Sequence, residues 1–420
     1  MMALAAQFLL LATILAPLGL LATAVTARGR ALLPALLVWA PLPGLAAALL
    51  AGGQAPLVIY ADRLRLTLTL DSPSAMLLGV AALLWSAAGA YARVYLGERP
   101  GAARFAGWWL LTLAGSLGVF VAGDLVTFYF AFAMVSLAAY GMVVHDATDR
   151  ARRAGAVYLA LAVLGEVFLL FAFALLAVSI PGASLAISDA VAVLPDAPMR
   201  DLIILLLLLG FGLKAGLVPL HVWLPLAHPA APMPASAVLS GAIIKAGIIG
   251  LIRFLPFDMG MPAWGEALGV LGFVTAFYGV ALGITQRNPK TILAYSSVSQ
   301  MGVVMAALGF GLAGADATAL TSSAFHASHH VLAKGALFLA VGVAYATGDR
   351  RAARGLGIAA RPVAGTQLWW PAMDRWSARQ GSDQGATRCR SAGLACCPLR
   401  RRDHPSDAAF YREVARQPRH

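Results

Sequence analysis

The fold is encoded most clearly in residues 201–255, DLIILLLLLGFGLKAGLVPLHVWLPLAHPAAPMPASAVLSGAIIKAGIIGLIRFL. This stretch begins with an apolar run, continues through five prolines, and becomes apolar again up to residue 255. About 20 apolar residues form a helix that crosses a bilayer, and proline interrupts a helix interior. The stretch therefore predicts two membrane-spanning helices. The first is broken, with a short second piece around residues 221–226.

Similar apolar runs recur along the whole chain, which has 420 residues, 60% of them hydrophobic and 12% charged. A soluble domain has about 45–50% apolar and about 25% charged residues, so the composition excludes a soluble protein. The alternating strands of a membrane barrel are missing from the sequence. The sequence predicts an all-α polytopic membrane protein of about eleven transmembrane helices, the seventh broken. The predicted spans are roughly 4–26, 31–51, 74–96, 105–122, 125–144, 154–179, 201–218, 235–255, 265–285, 291–312 and 325–346.

Charged residues between the spans predict the orientation. The connections after odd-numbered spans are basic, with Arg28, Arg30, Arg93, Arg99, Arg104, Arg150, Arg152, Arg153, Arg287, Lys290, Arg350, Arg351 and Arg354. Those after even-numbered spans carry Asp62, Asp71, Asp189, Asp196, Asp201, Asp258 and Asp316. The positive-inside rule then predicts a multi-pass protein of the bacterial inner membrane, with its N-terminus outside and its C-terminal tail cytoplasmic. Because the basic residues are dispersed, the net charge of +12 indicates no nucleic-acid partner.

No cofactor motif is found in the sequence. The three cysteines, Cys389, Cys396 and Cys397, lack zinc-ligand spacing. Walker loops, glycine-rich dinucleotide turns and haem motifs are missing as well. We therefore expect no metal, no cofactor and no catalytic site of the chain's own.

The four lysines are the most informative basic residues. Of 31 basic residues only Lys214, Lys245, Lys290 and Lys334 are lysines, and all but Lys290 lie inside predicted spans. Arginine stays charged, whereas a buried lysine can release its proton. Lys214, near the end of its helix, could instead extend its ammonium to the membrane surface, but Lys245 is about ten residues from either end of its span. This position predicts a titrating role for Lys245.

Two acidic residues receive separate interpretations. Glu166 is the only acidic residue in the middle of a predicted span, so it is either neutral or paired, and Lys214 on the next span is the nearest partner. Such a pair would be either purely structural or switchable. Asp124, directly before a predicted span, is expected to be a helix N-cap.

Four histidines complete the candidate proton pathway. His326, His330 and Lys334 are spaced i, i+4, i+8, so they share one helix face over about 12 Å. They form either a path for protons or a set of satisfied core residues. His221 and His228 lie in the proline-rich break, which either lines a water-filled cavity where a proton is taken up or sits at the membrane surface.

Two motifs carry a family resemblance. Residues 214–247, KAGLVPLHVWLPLAHPAAPMPASAVLSGAIIKAG, and residues 293–302, LAYSSVSQMG, together with the His/Lys stripe, resemble the proton-conducting antiporter-like membrane subunits. This family includes large membrane subunits of NADH:quinone oxidoreductase (complex I), of group 4 hydrogenases and of Mrp-type sodium/proton antiporters. The resemblance covers residues 1 to about 360.

The resemblance implies fourteen helices that contain two inverted five-helix repeats. Helices 1–3 would occupy residues 1–104, the first repeat 105–255, and an incomplete second repeat 265–360. It also implies that Lys214 is the broken-helix lysine, that Lys245 is the central lysine, and that the stripe leads toward a second half-channel. The family's usual glutamate falls at Ala133, and we expect Glu166 to replace it.

The last segment, 361–420, is basic and lacks apolar periodicity. We expect either a disordered tail or a frameshifted end, with the antiporter-like fold truncated after the eleventh helix. Three functions stay open. The first is a proton-translocating subunit of a complex I-like or hydrogenase-like complex, the second an Mrp-type subunit that moves protons or sodium ions, and the third a truncated non-conducting product. In the first two, other membrane subunits would be the partners.

Overall fold

The computed structural model describes residues 2–61, 64–97, 101–348 and 352, so the predicted tail at 361–420 lies outside the described residues. Its helices and strands are α1 (Met2–Ala22), α2 (Ala27–Leu36), α3 (Leu42–Leu50), β1 (Leu57–Ala61), β2 (Leu64–Leu68), α4 (Ser72–Leu96), α5 (Ala102–Val121), α6 (Leu125–Val143), α7 (Asp149–Ser179), α8 (Ile187–Val193), α9 (Arg200–Ala215), α10 (Trp223–Ala230), α11 (Met233–Val238), α12 (Lys245–Phe254), α13 (Pro262–Thr285), α14 (Pro289–Ala313) and α15 (Thr318–Ala346). Among the described residues, ten helical segments are long and apolar enough to cross a membrane. The predicted helical membrane fold is confirmed.

The second predicted span, 31–51, differs from a single crossing helix. It consists of α2 and α3, joined by a turn. Pro34 lies inside α2, and Pro41 and Pro43 stand at the start of α3, where proline is tolerated because the first backbone amides have no helical partner. These prolines explain why ten long segments are present instead of eleven.

A β-hairpin between α3 and α4 was not predicted. Strands β1 and β2 pair antiparallel, with Leu57 opposite Leu68 and Tyr60 opposite Arg65. The buried Asp124 joins this hairpin to the bundle, because its carboxylate accepts a hydrogen bond from Thr67 N at 2.6 Å and from Thr127 N at 2.8 Å. The second bond caps α6, so the predicted N-cap role of Asp124 is confirmed.

The predicted break after Lys214 is present. Helix α9 ends at Ala215, and Gly216 follows with a φ of +85°, a left-handed conformation that favours glycine. A short 3₁₀ turn, Leu220–Val222, leads into α10. A second irregularity was not predicted: a π-helical segment, Leu239–Ile243, lies between α11 and α12, directly before Lys245. Segments of this kind are frequent at functional sites.

Helices α13 and α14 pack backbone against backbone. A Cβ atom at Gly272 would lie 2.7 Å from the Gly302 carbonyl oxygen, and one at Gly265 would lie 2.6 Å from the Gly309 oxygen. Small residues allow membrane helices to approach this closely. The pair therefore presents α14 to the interior as a rigid surface for α15.

Candidate functional site

Lys214 lies at the break of the seventh span with its side chain buried among hydroxyl groups. Its Nζ donates to Ser136 Oγ on α6 at 3.0 Å and lies 3.5 Å from the Tyr158 hydroxyl on α7. The Tyr158 hydroxyl donates to the Ser136 carbonyl oxygen at 2.7 Å. The ammonium also faces the Phe132 ring, 5.7 Å from its centroid. Lys214 is 4% exposed, so its ammonium does not reach the membrane surface.

Glu166 does not form the predicted direct ion pair with Lys214. The Glu166 side chain is buried, and neither carboxylate oxygen has a hydrogen-bond partner among the described residues. Lys214 and Ser136 act on the carboxyl through space. The direct pair is not formed because the Lys214 ammonium is held by the Ser136 and Tyr158 oxygens. Ser136 is therefore the intermediary between acid and base.

Lys245 contacts the histidine stripe directly. Its side chain is fully buried, and its Nζ lies 2.5 Å from His330 Nδ1 on α15 and 3.3 Å from the Ser240 carbonyl oxygen in the π-helical segment. His330 Nε2 is buried and has no hydrogen-bond partner among the described residues. The Lys245–His330 contact is short enough for a proton to pass between the two nitrogens, since hydrogen-bonded heavy atoms normally lie 2.7–3.2 Å apart.

The other members of the stripe face α14. Lys334 Nζ donates to Ser296 Oγ at 2.6 Å, and the half-buried His326 contacts Gln300 Oε1 through Nε2 at 2.8 Å. The three stripe residues thus lie on one helix face, as their spacing predicts. Each has a polar partner on a neighbouring helix, and the charge of Lys334 acts on Lys245.

The two histidines of the broken helix are both buried. His221 packs against the Tyr278 ring at 4.9 Å between centroids, and its Nδ1 has no hydrogen-bond partner among the described residues. His228 is fully buried beside Phe338, with a centroid distance of 5.0 Å. Within the described part of the chain, no group of His, Cys, Asp and Glu side chains could hold a metal ion.

The candidate residues form two clusters on adjacent helices. Lys214 with Ser136, Tyr158 and Glu166 forms the first cluster, and Lys245 with the stripe forms the second. Between them α12 and α9 approach closely, because a Cβ at Gly247 would lie 2.8 Å from Ala215 N. This contact places the helix turns that carry Lys214 and Lys245 next to each other.

Sequence reasoning missed the hydroxyl and amide partners of these lysines. The missed residues are Ser136, Tyr158, Ser240, Ser296 and Gln300. All five lie inside apolar spans, where polar side chains need partners. Their position was a usable signal, but several other serines and threonines share it.

Comparison with known families identifies the architecture. Residues 122–363, more than half of the chain, match the family described as NADH:quinone oxidoreductase/Mrp antiporter, TM. The chain belongs to this family. The resemblance inferred from the two motifs is thereby confirmed, and the protein is a multi-pass membrane protein of the NADH:quinone oxidoreductase/Mrp antiporter family.

Several relatives come from different complexes. The chain is 32% identical to hydrogenase-4 component B of Escherichia coli (strain K12) over 69% of its own length and 44% of the relative's. It is 34% identical to NADH-quinone oxidoreductase subunit N of Desulforudis audaxviator, covering 67% of the chain and 56% of that protein. It is 32% identical to a component of a probable K(+)/H(+) antiporter of Rhizobium meliloti, covering 64% and 26%. The chain thus spans about half or less of the relatives that it matches.

Solved structures show the same fold. The membrane-bound sulfane sulfur reductase, an archaeal respiratory membrane complex, has a chain with a TM-score of 0.68 at 21% identity, covering 80% of this chain and 70% of that one. The Mrp complex from Dietzia sp. DQ12-45-1b has one with a TM-score of 0.67 at 28% identity, covering 83% and 38%. The family fold is therefore found in both a respiratory complex and an Mrp complex.

Proposed function

We propose that this chain is a proton-translocating membrane subunit of a complex I-like or group 4 hydrogenase-like respiratory complex. Other membrane subunits would perform the redox chemistry. The observation that carries the proposal is the fully buried Lys245 in contact with His330, 2.5 Å apart. Two adjacent titratable groups in a membrane interior are expensive, and such groups mark ion pathways.

The two clusters support an electrostatic mechanism. A proton leaves the Lys245 ammonium for His330 Nδ1, and the proton on His330 Nε2 is released toward Lys334. Because the charges of Lys334 and Lys245 repel each other, protonation of one favours deprotonation of the other. A charge change that reaches Glu166 would pull on Lys214 through Ser136 and shift the balance at Lys245. Each cycle moves one proton.

The function is tested with the complete complex in sealed vesicles. Electron transfer is expected to change the internal pH, and a protonophore is expected to abolish the change. Electron transfer without any pH change would show that the proposal is wrong. The basic loops further suggest insertion in a bacterial inner membrane with the N-terminus outside, and protease or label accessibility of that terminus tests the orientation.

An Mrp-type subunit that exchanges a cation for protons is the second candidate. The relative from Rhizobium meliloti and the Dietzia Mrp fold favour it. The same vesicles separate the two candidates, because a sodium or potassium gradient would then drive proton movement with no electron donor present.

Replacing Glu166 by glutamine is expected to reduce proton translocation at least about tenfold, because the amide cannot carry the charge that acts on Lys214. Ala133 lies one helical turn from Ser136 on α6. Adding Ala133→Glu to the Glu166→Gln variant is therefore expected to restore part of the rate. The vesicle assay measures both variants, with Asp149→Asn, an exposed carboxylate, as control. Full activity of the Glu166→Gln variant would contradict a role for this acid.

A further inference from the structure

Lys290, the fourth lysine, is buried near the arginine-rich end of the bundle. It is the second residue of α14 and is 8% exposed. Its Nζ donates to the Ala231 carbonyl oxygen at 2.5 Å, at the bend between α10 and α11. Ser236 Oγ binds the same bend and donates to the His228 carbonyl oxygen at 2.9 Å. Lys290 is therefore attached to the segment that carries His228.

His228 has an unused capacity for hydrogen bonding. Its side chain is fully buried, and neither ring nitrogen has a hydrogen-bond partner among the described residues. The charges of Lys290 and Lys334 both act on the ring. A neutral imidazole offers one N–H donor and one lone pair. The ring can therefore accept a proton at one nitrogen and release another from the opposite nitrogen.

Asp146 connects this region to solvent. It lies exposed in the loop between α6 and α7, and its charge acts favourably on Lys290, against the opposing charge of Arg150. The loop, the start of α14 and the bend between α10 and α11 all lie at the arginine-rich end of the bundle. An exposed carboxylate beside a buried lysine can collect protons from solvent and hand them inward.

We propose that Asp146 and Lys290 form the proton-uptake route from the arginine-rich surface to His228. The Lys290 ammonium gives its proton to a ring nitrogen of His228, and the resulting neutral amine is reprotonated from Asp146. His228 then passes the proton toward Lys334. This route rests on the proposed proton translocation. The competing explanation is that Lys290 only caps the C-terminus of α10, where a positive charge alone would suffice.

Lys290→Arg separates the two explanations. Arginine keeps the positive charge and the donor to Ala231 but does not release its proton. We expect translocation in the vesicle assay to fall at least about tenfold while the thermal unfolding temperature is unchanged. Translocation at the wild-type rate would show that Lys290 is only a cap and would overturn the route.

Asp146→Asn decides the question if the arginine variant does not fold, because Asp146 is exposed. It is expected to slow translocation severalfold, whereas Asp149→Asn, an exposed carboxylate in the first turn of α7, is expected to have no effect. Equal rates in both variants would refute the route. Lys245→Met is measured in parallel. If the wild type does not translocate protons, or if Lys245→Met does so normally, the proposed function itself fails. If both behave as proposed while the Lys290→Arg and Asp146→Asn variants are normal, only the uptake route is wrong.

Discussion

Replacing Lys245 by methionine is expected to abolish proton translocation, with a loss of at least about a hundredfold, while the protein still folds. The Lys245 side chain is fully buried and contacts His330 Nδ1, so no other described group can supply that proton at the same place. Methionine has a similar length and no charge. Since an apolar residue in place of a buried charge is often neutral or stabilising, the thermal unfolding temperature should not fall.

The arginine variant is the decisive companion. Lys245→Arg keeps a positive charge next to His330, but guanidinium does not release its proton at physiological pH. Both variants are therefore expected to lose translocation, measured as the pH change in sealed vesicles per electron transferred. Normal translocation by the Lys245→Arg variant would show that a fixed charge is sufficient and that the lysine does not titrate.

Gly272→Val is expected to have the largest effect on stability. A Cβ atom there would meet the backbone of α14, 2.7 Å from the Gly302 carbonyl oxygen and closer still to Ala306 N. Backbone atoms cannot rotate away as a side chain can, so α13 and α14 must separate. We expect a loss of more than about 3 kcal/mol in the free energy of unfolding, above the usual range for an enlarged core side chain.

Gly19→Val is the matched control for this substitution. It makes the same chemical change in α1, where a Cβ atom would find nothing within 4 Å. Its expected effect is within about 0.5 kcal/mol. Thermal unfolding in detergent compares the two variants. Equal stability of both would mean that α13 and α14 are not in backbone contact.

The membrane helices could largely be predicted from the sequence because crossing a bilayer depends on a local property of the chain. Apolar length alone places most of the ten long segments, and prolines after Lys214 locate the break. The same reasoning fails at α2 and α3, where an apolar stretch of sufficient length contains prolines that bend it. The β1–β2 hairpin was missed because two strands of five residues are too short for a clear alternating pattern.

The candidate site could be predicted only in part. Spacing along one helix places His326, His330 and Lys334 on the same face, because helical geometry is fixed by the backbone. The partners on other helices do not follow from spacing: Lys245 and His330 are 85 residues apart in the chain, and Lys214 and Ser136 are 78 apart. The direct Glu166–Lys214 pair was the natural choice from neighbouring spans, but hydroxyl oxygens on two helices hold the ammonium instead.

Local composition is enough to establish that the chain crosses the membrane many times, that its seventh span is broken and that its few lysines are buried. Apolar length, proline and charge act on the residues that carry them, so these features can be read along the chain. The side chain that each lysine meets depends instead on the folded bundle, because it depends on which helix faces pack together. Glycines such as Gly247 and Gly272, which let two backbones approach, set those faces.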